Sequence, residues 1–223
     1  VKWNYLDLFS GIGGFALGAY WAGLVVENHY YSEVDPYAIE VYQRRFPDAV
    51  PLGDVRSISK LPDGKWIITG GFPCQPFSSA ARGRNNAIDL WPEMLRVVRR
   101  NHTEWVIAEN VSYRAISRAV RDLREIGYSA HALYIPSAAV GAAHYRGRFW
   151  MVAYADSYGK SYGSVNEKVE SIPSVPGLGD EIDPGAVGTH DGISRRLDRL
   201  KGLGNAIVPQ IAEMIFREIL SNE

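Results

Sequence analysis

Cysteine occurs once and methionine three times in the 223 residues. A single Cys excludes an intramolecular disulfide framework and any Cys-based metal cluster, and it suits a reducing compartment. Long apolar runs are missing as well. Each candidate is cut by Gly, Pro or a charge before reaching the ~20 residues that a membrane helix needs, so no transmembrane segment is expected. The opening Val1-Lys2-Trp3-Asn4 lacks the charged flank, apolar region and cleavage site of a signal peptide. Without an initiator Met, a processed or trimmed chain is expected, with no internal repeat. An excess of one charge sign is also absent: the net charge is −1, which by itself does not point to nucleic acid.

What is present is an ordinary globular composition, 46% apolar and 22% charged, in a length that suits one compact domain. Charge is unevenly placed. Residues 82–154 hold 11 cations, all of them Arg, against 6 acids, whereas residues 155–194 hold 2 cations against 7 acids. The planar fork of Arg suits phosphate, and solvated helix faces would give the same composition.

Short β-branched or aromatic stretches at Tyr5–Phe9, Val25–Ser32, Trp66–Gly70, Trp105–Ala108, Ala130–Ile135 and Phe149–Tyr154 read as buried strands. Helix-period segments lie between them at Phe15–Ala22, Pro36–Phe46, Ile88–Asn101 and Arg114–Ile126, and Ile207–Leu220 comes later. This alternation predicts an α/β fold: a doubly wound, mostly parallel sheet with helices on both faces. Asp35-Pro36 reads as an N-cap followed by Pro at the first helical position. Three parts are expected: a core over 1–154, a short acidic Gly/Pro-rich insert over 155–191, and a segment over 192–223 that returns to the core.

Several strand ends carry residues capable of chemistry. Phe9-Ser10-Gly11-Ile12-Gly13-Gly14 is a glycine-rich turn between a strand and a helix, where backbone can approach a ligand closely. Glu33, ending the second strand, can accept from ribose hydroxyls or can simply be a surface acid before the Asp35 cap. Asp54 can accept from an exocyclic amine or can cap a loop. Cys74 lies between Pro73 and Pro76 after a strand, at an edge where a rigidly held thiolate is a potential nucleophile; a lone Cys is also commonly a small buried hydrophobe. The next stretch, with Gln75, Ser78, Arg82 and Arg84, is small, polar and basic, suited to contacting phosphate. Glu109 at another strand end serves as a general acid if apolar surroundings raise its pKa, and otherwise as a helix-entry acid. Arg146 and Arg148 share one side of a strand, either clamping a phosphate or base carbonyl or forming a plain surface pair.

In order, the glycine turn, Glu33-Val34-Asp35, Gly53-Asp54-Val55, Pro73-Cys74-Gln75, Glu109-Asn110-Val111, Arg146-Gly147-Arg148 and Gly204-Asn205-Ala206-Ile207-Val208-Pro209 resemble the motifs of the DNA cytosine-5 methyltransferases. The likeness covers 3–154 and about 192–220, and is greatest to compact phage or prophage-type members. It implies a class I, Rossmann-like methyltransferase fold with a very reduced target-recognition region, S-adenosylmethionine as cofactor, and double-stranded DNA as partner. Cys74 then matches the nucleophile that adds to carbon 6 of a flipped-out cytosine, Glu109 the acid at N3, and Arg146 with Arg148 the pair at the base carbonyl. Phe9 to Gly14, including Ile12, with Glu33, Val34, Asp54, Val55, Pro73 and Asn205 match cofactor positions; Gln75, Ser78, Arg82 and Arg84 match DNA contacts. No metal is implied, and the expected setting is a bacterial or phage-encoded cytoplasmic protein, with a restriction partner left open. Two positions depart from the pattern: His144 stands where Gln is common, and Val34 where many members have Trp. The acidic stretch 155–190 is a poor phosphate binder. Rival readings are a tRNA cytosine-5 methyltransferase, or a catalytically impaired or truncated DNA-binding relative.

Overall fold

Leu8, Ser32, Gly70 and Ala108 stand level across four neighbouring parallel strands, so the residues one position further on, Phe9, Glu33, Gly71 and Glu109, line a single edge of the sheet. A computed structural model describes residues 1–73, 89–141, 146–156, 206–221 and 223. The described strands are β1 (Trp3–Leu8), β2 (Val26–Ser32), β3 (Val50–Pro51), β4 (Trp66–Gly70), β5 (Trp105–Asn110), β6 (Tyr128–Pro136) and β7 (Gly147–Ala155). They form one seven-stranded sheet in the order β3-β2-β1-β4-β5-β7-β6. β3, β2, β1, β4 and β5 pair in parallel, while β7 runs antiparallel to both β5 and β6.

Alternation along each strand sends side chains to two cores. Trp3 and Tyr5 of β1, with Trp105 and Ile107 of β5, face one cluster. Leu6, Leu8, Val106 and Ala108 face the other. Helices α1 (Gly14–Trp21) and α5 (Pro209–Ser221) contribute Phe15, Ala19, Ile211, Ile215 and Phe216 to the first cluster, and α2 (Pro36–Arg45) adds Tyr42. Helices α3 (Trp91–Arg100) and α4 (Tyr113–Arg124) cover the second with Met94, Val97, Val98, Ile116, Ala119 and Leu123, at the three- and four-residue spacing of a helix stripe. The sheet is therefore covered by helices on both faces, as the alternation of apolar segments predicts.

Local caps fix where the helices begin. Asp35 accepts the N–H groups of Tyr37 and Ala38 with Pro36 at the first turn, and Ser112 accepts that of Ala115. Helices α1 and α5 approach so closely that a Cβ on Gly18 would lie 2.6 Å from both Ala212 Cβ and the Pro209 carbonyl oxygen. Gly18 is the cost in helix propensity that this contact requires.

Among the described residues, several arginines of the Arg-rich stretch pair within the chain. Arg118 pairs with Asp89 and Asp122, Arg121 with Asp122 and Glu125, and Arg124 donates to the Ala130 carbonyl. Among the described residues no helix is long and apolar enough to cross a membrane, and no group of three or more His, Cys, Asp or Glu is placed to hold a metal ion.

Candidate active site

In the strand order, β1 has β2 on one side and β4 on the other, so the chain departs in opposite directions from this point. Crevices at the carboxyl ends of strands around such a reversal are where open α/β sheets bind ligands. The glycine turn lies there. Phe9 and Gly11 have φ of +52° and Gly13 of +85°, which turns the backbone abruptly from β1 into the N-terminus of α1. Ser10 N–H donates to the Ser32 carbonyl, and Gly13 N–H to the Ser10 carbonyl. Ser10 Oγ is buried with no hydrogen-bond partner among the described residues.

Beneath the turn, Asp7 is wholly buried. Thr69 Oγ1 donates to one of its oxygens (2.8 Å) and Tyr42 Oη to the other (3.3 Å), with a further bond from the Ala16 backbone at the start of α1. Tyr5 Oη meets Thr69 Oγ1, and His29 Nε2 meets Tyr42 Oη, so a chain of polar groups runs through the first core. Burial pushes the Asp7 carboxyl up to about 8 despite those bonds. In the sequence Asp7 stands only as part of the approach to the turn; an acid inside an otherwise apolar strand was the available signal.

Beside the turn, Glu33 accepts the N–H of Gly11, Val34 and Asp35. Val34 is 66% exposed and offers an open apolar wall next to that carboxylate. Ser32 Oγ donates to the Gly53 carbonyl, bringing the next loop against β2. In that loop Asp54 caps a short 3-10 helix, Val55–Ser57, and takes hydrogen bonds from Arg56 through both its backbone N–H and its guanidinium. The Arg56 guanidinium holds the Asp54 carboxyl down to about 2. Val55 is a buried core residue whose carbonyl accepts from Arg96 Nη2 and from the Ile58 N–H.

On the other side of β1, Gly71 and Phe72 lead to Pro73, the last described residue before Cys74. Phe72 is buried against Trp91, and its carbonyl accepts Asn110 Nδ2 at 2.8 Å. Asn110 Oδ1 accepts Ser112 N–H, so one side chain ties the approach to Cys74 to the end of β5. Nothing in the sequence marks Asn110 for a role of its own beyond its place directly after Glu109. Cys74, Gln75, Ser78, Arg82, Arg84 and Asn205 lie outside the described residues.

Glu109 is 9% exposed and burial pushes its carboxyl up to about 7, opposed by Arg148 and Arg146. Arg148 Nε lies 3.0 Å from Glu109 Oε1, a close ion pair. Arg146 Nε is buried without a hydrogen-bond partner among the described residues. The backbone of Arg146 is fixed from both sides by buried Ser137, whose Oγ accepts its N–H and whose N–H donates to its carbonyl. Arg146 Nη2 also donates to the Ala206 carbonyl, so the C-terminal segment meets the sheet at this edge. Burial lowers the Arg146 pKa. The arrangement is a buried carboxyl poised near neutrality, paired with one guanidinium and influenced by a second, in line with a glycine turn and two further carboxylates along the same edge.

The family model for C-5 cytosine-specific DNA methylases matches residues 3–179. Type II methyltransferase M.HgiBI of Herpetosiphon aurantiacus is 33% identical over 220 residues, covering 82% of this chain and 49% of the relative. Type II methyltransferase M.HhaI of Haemophilus parahaemolyticus is 31% identical over 163 residues, covering 68% and 49%. The chain thus spans about half the length of these relatives. Among solved structures, a protein described as a prophage-encoded DNA modification methyltransferase of E. coli superposes with a TM-score of 0.57 at 26% identity, covering 71% of this chain and 48% of that one. The S. pombe Dnmt2 methyltransferase does so with a TM-score of 0.56 at 21% identity, covering 75% and 55%, a likeness of fold. The class I methyltransferase fold that the ordered motifs imply is the one found, and the chain belongs to the C-5 cytosine-specific DNA methylase family.

Proposed function

We propose that this chain transfers a methyl group from S-adenosylmethionine to carbon 5 of a flipped-out cytosine in double-stranded DNA, with Cys74 as covalent nucleophile. The observation that carries the reading is Glu109: a buried carboxyl near neutrality, ion-paired with Arg148 and influenced by Arg146, whose Nε–H donor has no hydrogen-bond partner among the described residues. A pyrimidine edge presents what such a set needs, a ring nitrogen to take a proton and a carbonyl to accept from Arg.

The residues at the edge fit the cofactor. Ser10 Oγ is a buried polar atom without a partner in the glycine turn, Val34 is an exposed apolar wall, and Glu33 and Asp54 are carboxylates flanking it. Glu33 would take the ribose hydroxyls, Asp54 the adenine amine, and the N-terminus of α1 would face the methionine end. Phe9, Pro73 and Asn205 would complete this pocket.

Carbon 5 of cytosine is a weak nucleophile. Addition of the Cys74 thiolate to carbon 6 displaces a ring electron pair toward N3, where the proton of Glu109 meets it, and carbon 5 becomes enamine-like. Arg146 and Arg148 hold the base carbonyl and set the balance of charge on Glu109. S-adenosylmethionine, when bound, supplies the methyl group to carbon 5. Loss of the carbon 5 proton to a base then lets the electron pair return and expel the Cys74 thiolate, while the proton on N3 returns to Glu109. Reaching a base inside the stack requires flipping it out, at about a few kcal/mol. Gln75, Ser78, Arg82 and Arg84 are the proposed DNA contacts.

The test is incubation of the chain with methyl-labelled S-adenosylmethionine and separate pools of unmethylated duplex DNA and tRNA, with Cys74→Ala as control. Label in duplex DNA, mapped to 5-methylcytosine and lost in Cys74→Ala, is the expected result. Label confined to tRNA, or persisting in the variant, defeats the reading.

A further inference from the structure

The loop that carries Asp54 has little structure of its own: three residues of 3-10 helix, anchored below by the buried side chains of Val55 and Ile58. It is held from outside by Arg96 of α3. Arg96 Nη1 donates to the Ile58 carbonyl (2.7 Å), and Nη2 to the Val55 carbonyl (2.9 Å) and, at greater length, to that of Arg56 (3.4 Å). Its Nε donates to Glu93 Oε2 one turn earlier on the same helix (2.7 Å). A guanidinium has five donors in one rigid plane, and this plane addresses three carbonyls of one loop while Glu93 fixes its orientation. Lys has the charge but not the fork. The bonds span about forty residues of sequence, so they do nothing for local folding of the loop and everything for where it stands relative to the sheet.

We infer that Arg96, oriented by Glu93, is a positioning residue that sets the place of the Asp54 carboxylate and so the recognition of the adenine ring. The inference rests on the proposed role of Asp54 toward the adenine amine. It goes further in placing control of that recognition on α3, on the opposite face of the sheet from the glycine turn's own helix α1.

Calorimetric titration with S-adenosylhomocysteine and with S-inosylhomocysteine, which has a carbonyl in place of the amine, tests both levels. The unaltered chain is expected to prefer the adenine compound. Arg96→Met should bind it on the order of tenfold more weakly and lose most of the preference, with Arg96→Lys between the two. Wild-type affinity and preference in Arg96→Met overturn the inference. Equal weakening toward both compounds also overturns it, since general loosening does not distinguish a ring substituent. Asp54→Ala separates the levels: if it binds both compounds as the unaltered chain does, the role of Asp54 falls and the inference with it.

Discussion

Glu33 Oε2 accepts the backbone N–H of Gly11 at 2.8 Å, joining the glycine turn after β1 to the end of β2 through one carboxylate. Its other oxygen takes the N–H groups of Val34 and Asp35 at 2.7 and 2.9 Å. Hydrogen bonds to a charged acceptor are the strong ones, so this side chain shapes both walls of the proposed cofactor pocket before any ligand arrives. Glu33→Ala should weaken binding of S-adenosylhomocysteine by at least about tenfold, and Glu33→Gln, which keeps one acceptor oxygen, by less. Titration calorimetry decides it; an unchanged dissociation constant in Glu33→Ala would remove Glu33 from the pocket.

Glu109 gives a pH dependence with a definite sign. The form that donates to N3 is protonated, and its pKa is raised from 4.5 to about 7, so methyl transfer should fall as pH rises through about 7. Glu109→Gln should slow transfer by ~10²–10⁴-fold and flatten that alkaline limb, leaving cofactor affinity nearly unchanged. Stability moves in the same direction. A carboxyl with a raised folded-state pKa contributes fully below 4.5, and that contribution is lost as pH rises through about 7. A pH profile of transfer that keeps its alkaline limb in Glu109→Gln would assign that limb to another group.

Asp7 should govern stability over a wider window. Its carboxyl moves from 3.8 to about 8 on folding, so its contribution is present below 3.8 and drains away as pH rises through about 8. Asp7→Asn keeps one oxygen for Thr69 and offers an N–H to Tyr42, which in turn can donate to His29. Urea midpoints at about pH 6 and about pH 9, on either side of that folded-state value, should differ less in Asp7→Asn than in the unaltered chain. Equal differences would mean that Asp7 does not titrate between them.

Replacing Gly18 by Ala should destabilise the chain although Ala is the better helix former. The added methyl would meet Ala212 Cβ, the Pro209 carbonyl and the Glu213 N–H region, two of them backbone, at 2.6–2.7 Å. Overpacking of this kind costs roughly 1–3 kcal/mol, more than the ~1 kcal/mol gained in propensity. Chemical denaturation measures the balance, and a stabilised Gly18→Ala would mean that α5 shifts at little cost.

The strands and helices were legible because burial imposes period 2 on one and a 3.6-residue stripe on the other. Glu33, Asp54 and Glu109 were legible as acids at strand ends, and the register places Glu33 and Glu109 level on one edge. β3 was not, since Val50–Pro51 is too short to show a period. Nor was the position of β7 between β5 and β6, which depends on pairing across the turn around Ser137–Val140 rather than on either strand's own pattern. The roles of Arg96, Asn110 and Ser137 were invisible for the same reason: each hydrogen bond joins segments that only the folded sheet brings together.

Because β7 runs against its neighbours, it carries the chain away from the site. Its start, with Arg148, is at the edge that holds Glu109, and its end is at the opposite edge, where Ala155 N–H meets the Glu104 carbonyl and Asp156 N–H that of Gly127. Ala206, by contrast, is back beside Arg146. The chain must therefore recross the depth of the sheet between Asp156 and Ala206, a distance close to the nine residues of β7, about 30 Å. About ten extended residues would suffice for that crossing. Residues 157–205 exceed it several times over, so the distance between the two anchors does not by itself fix the length of the chain that joins them.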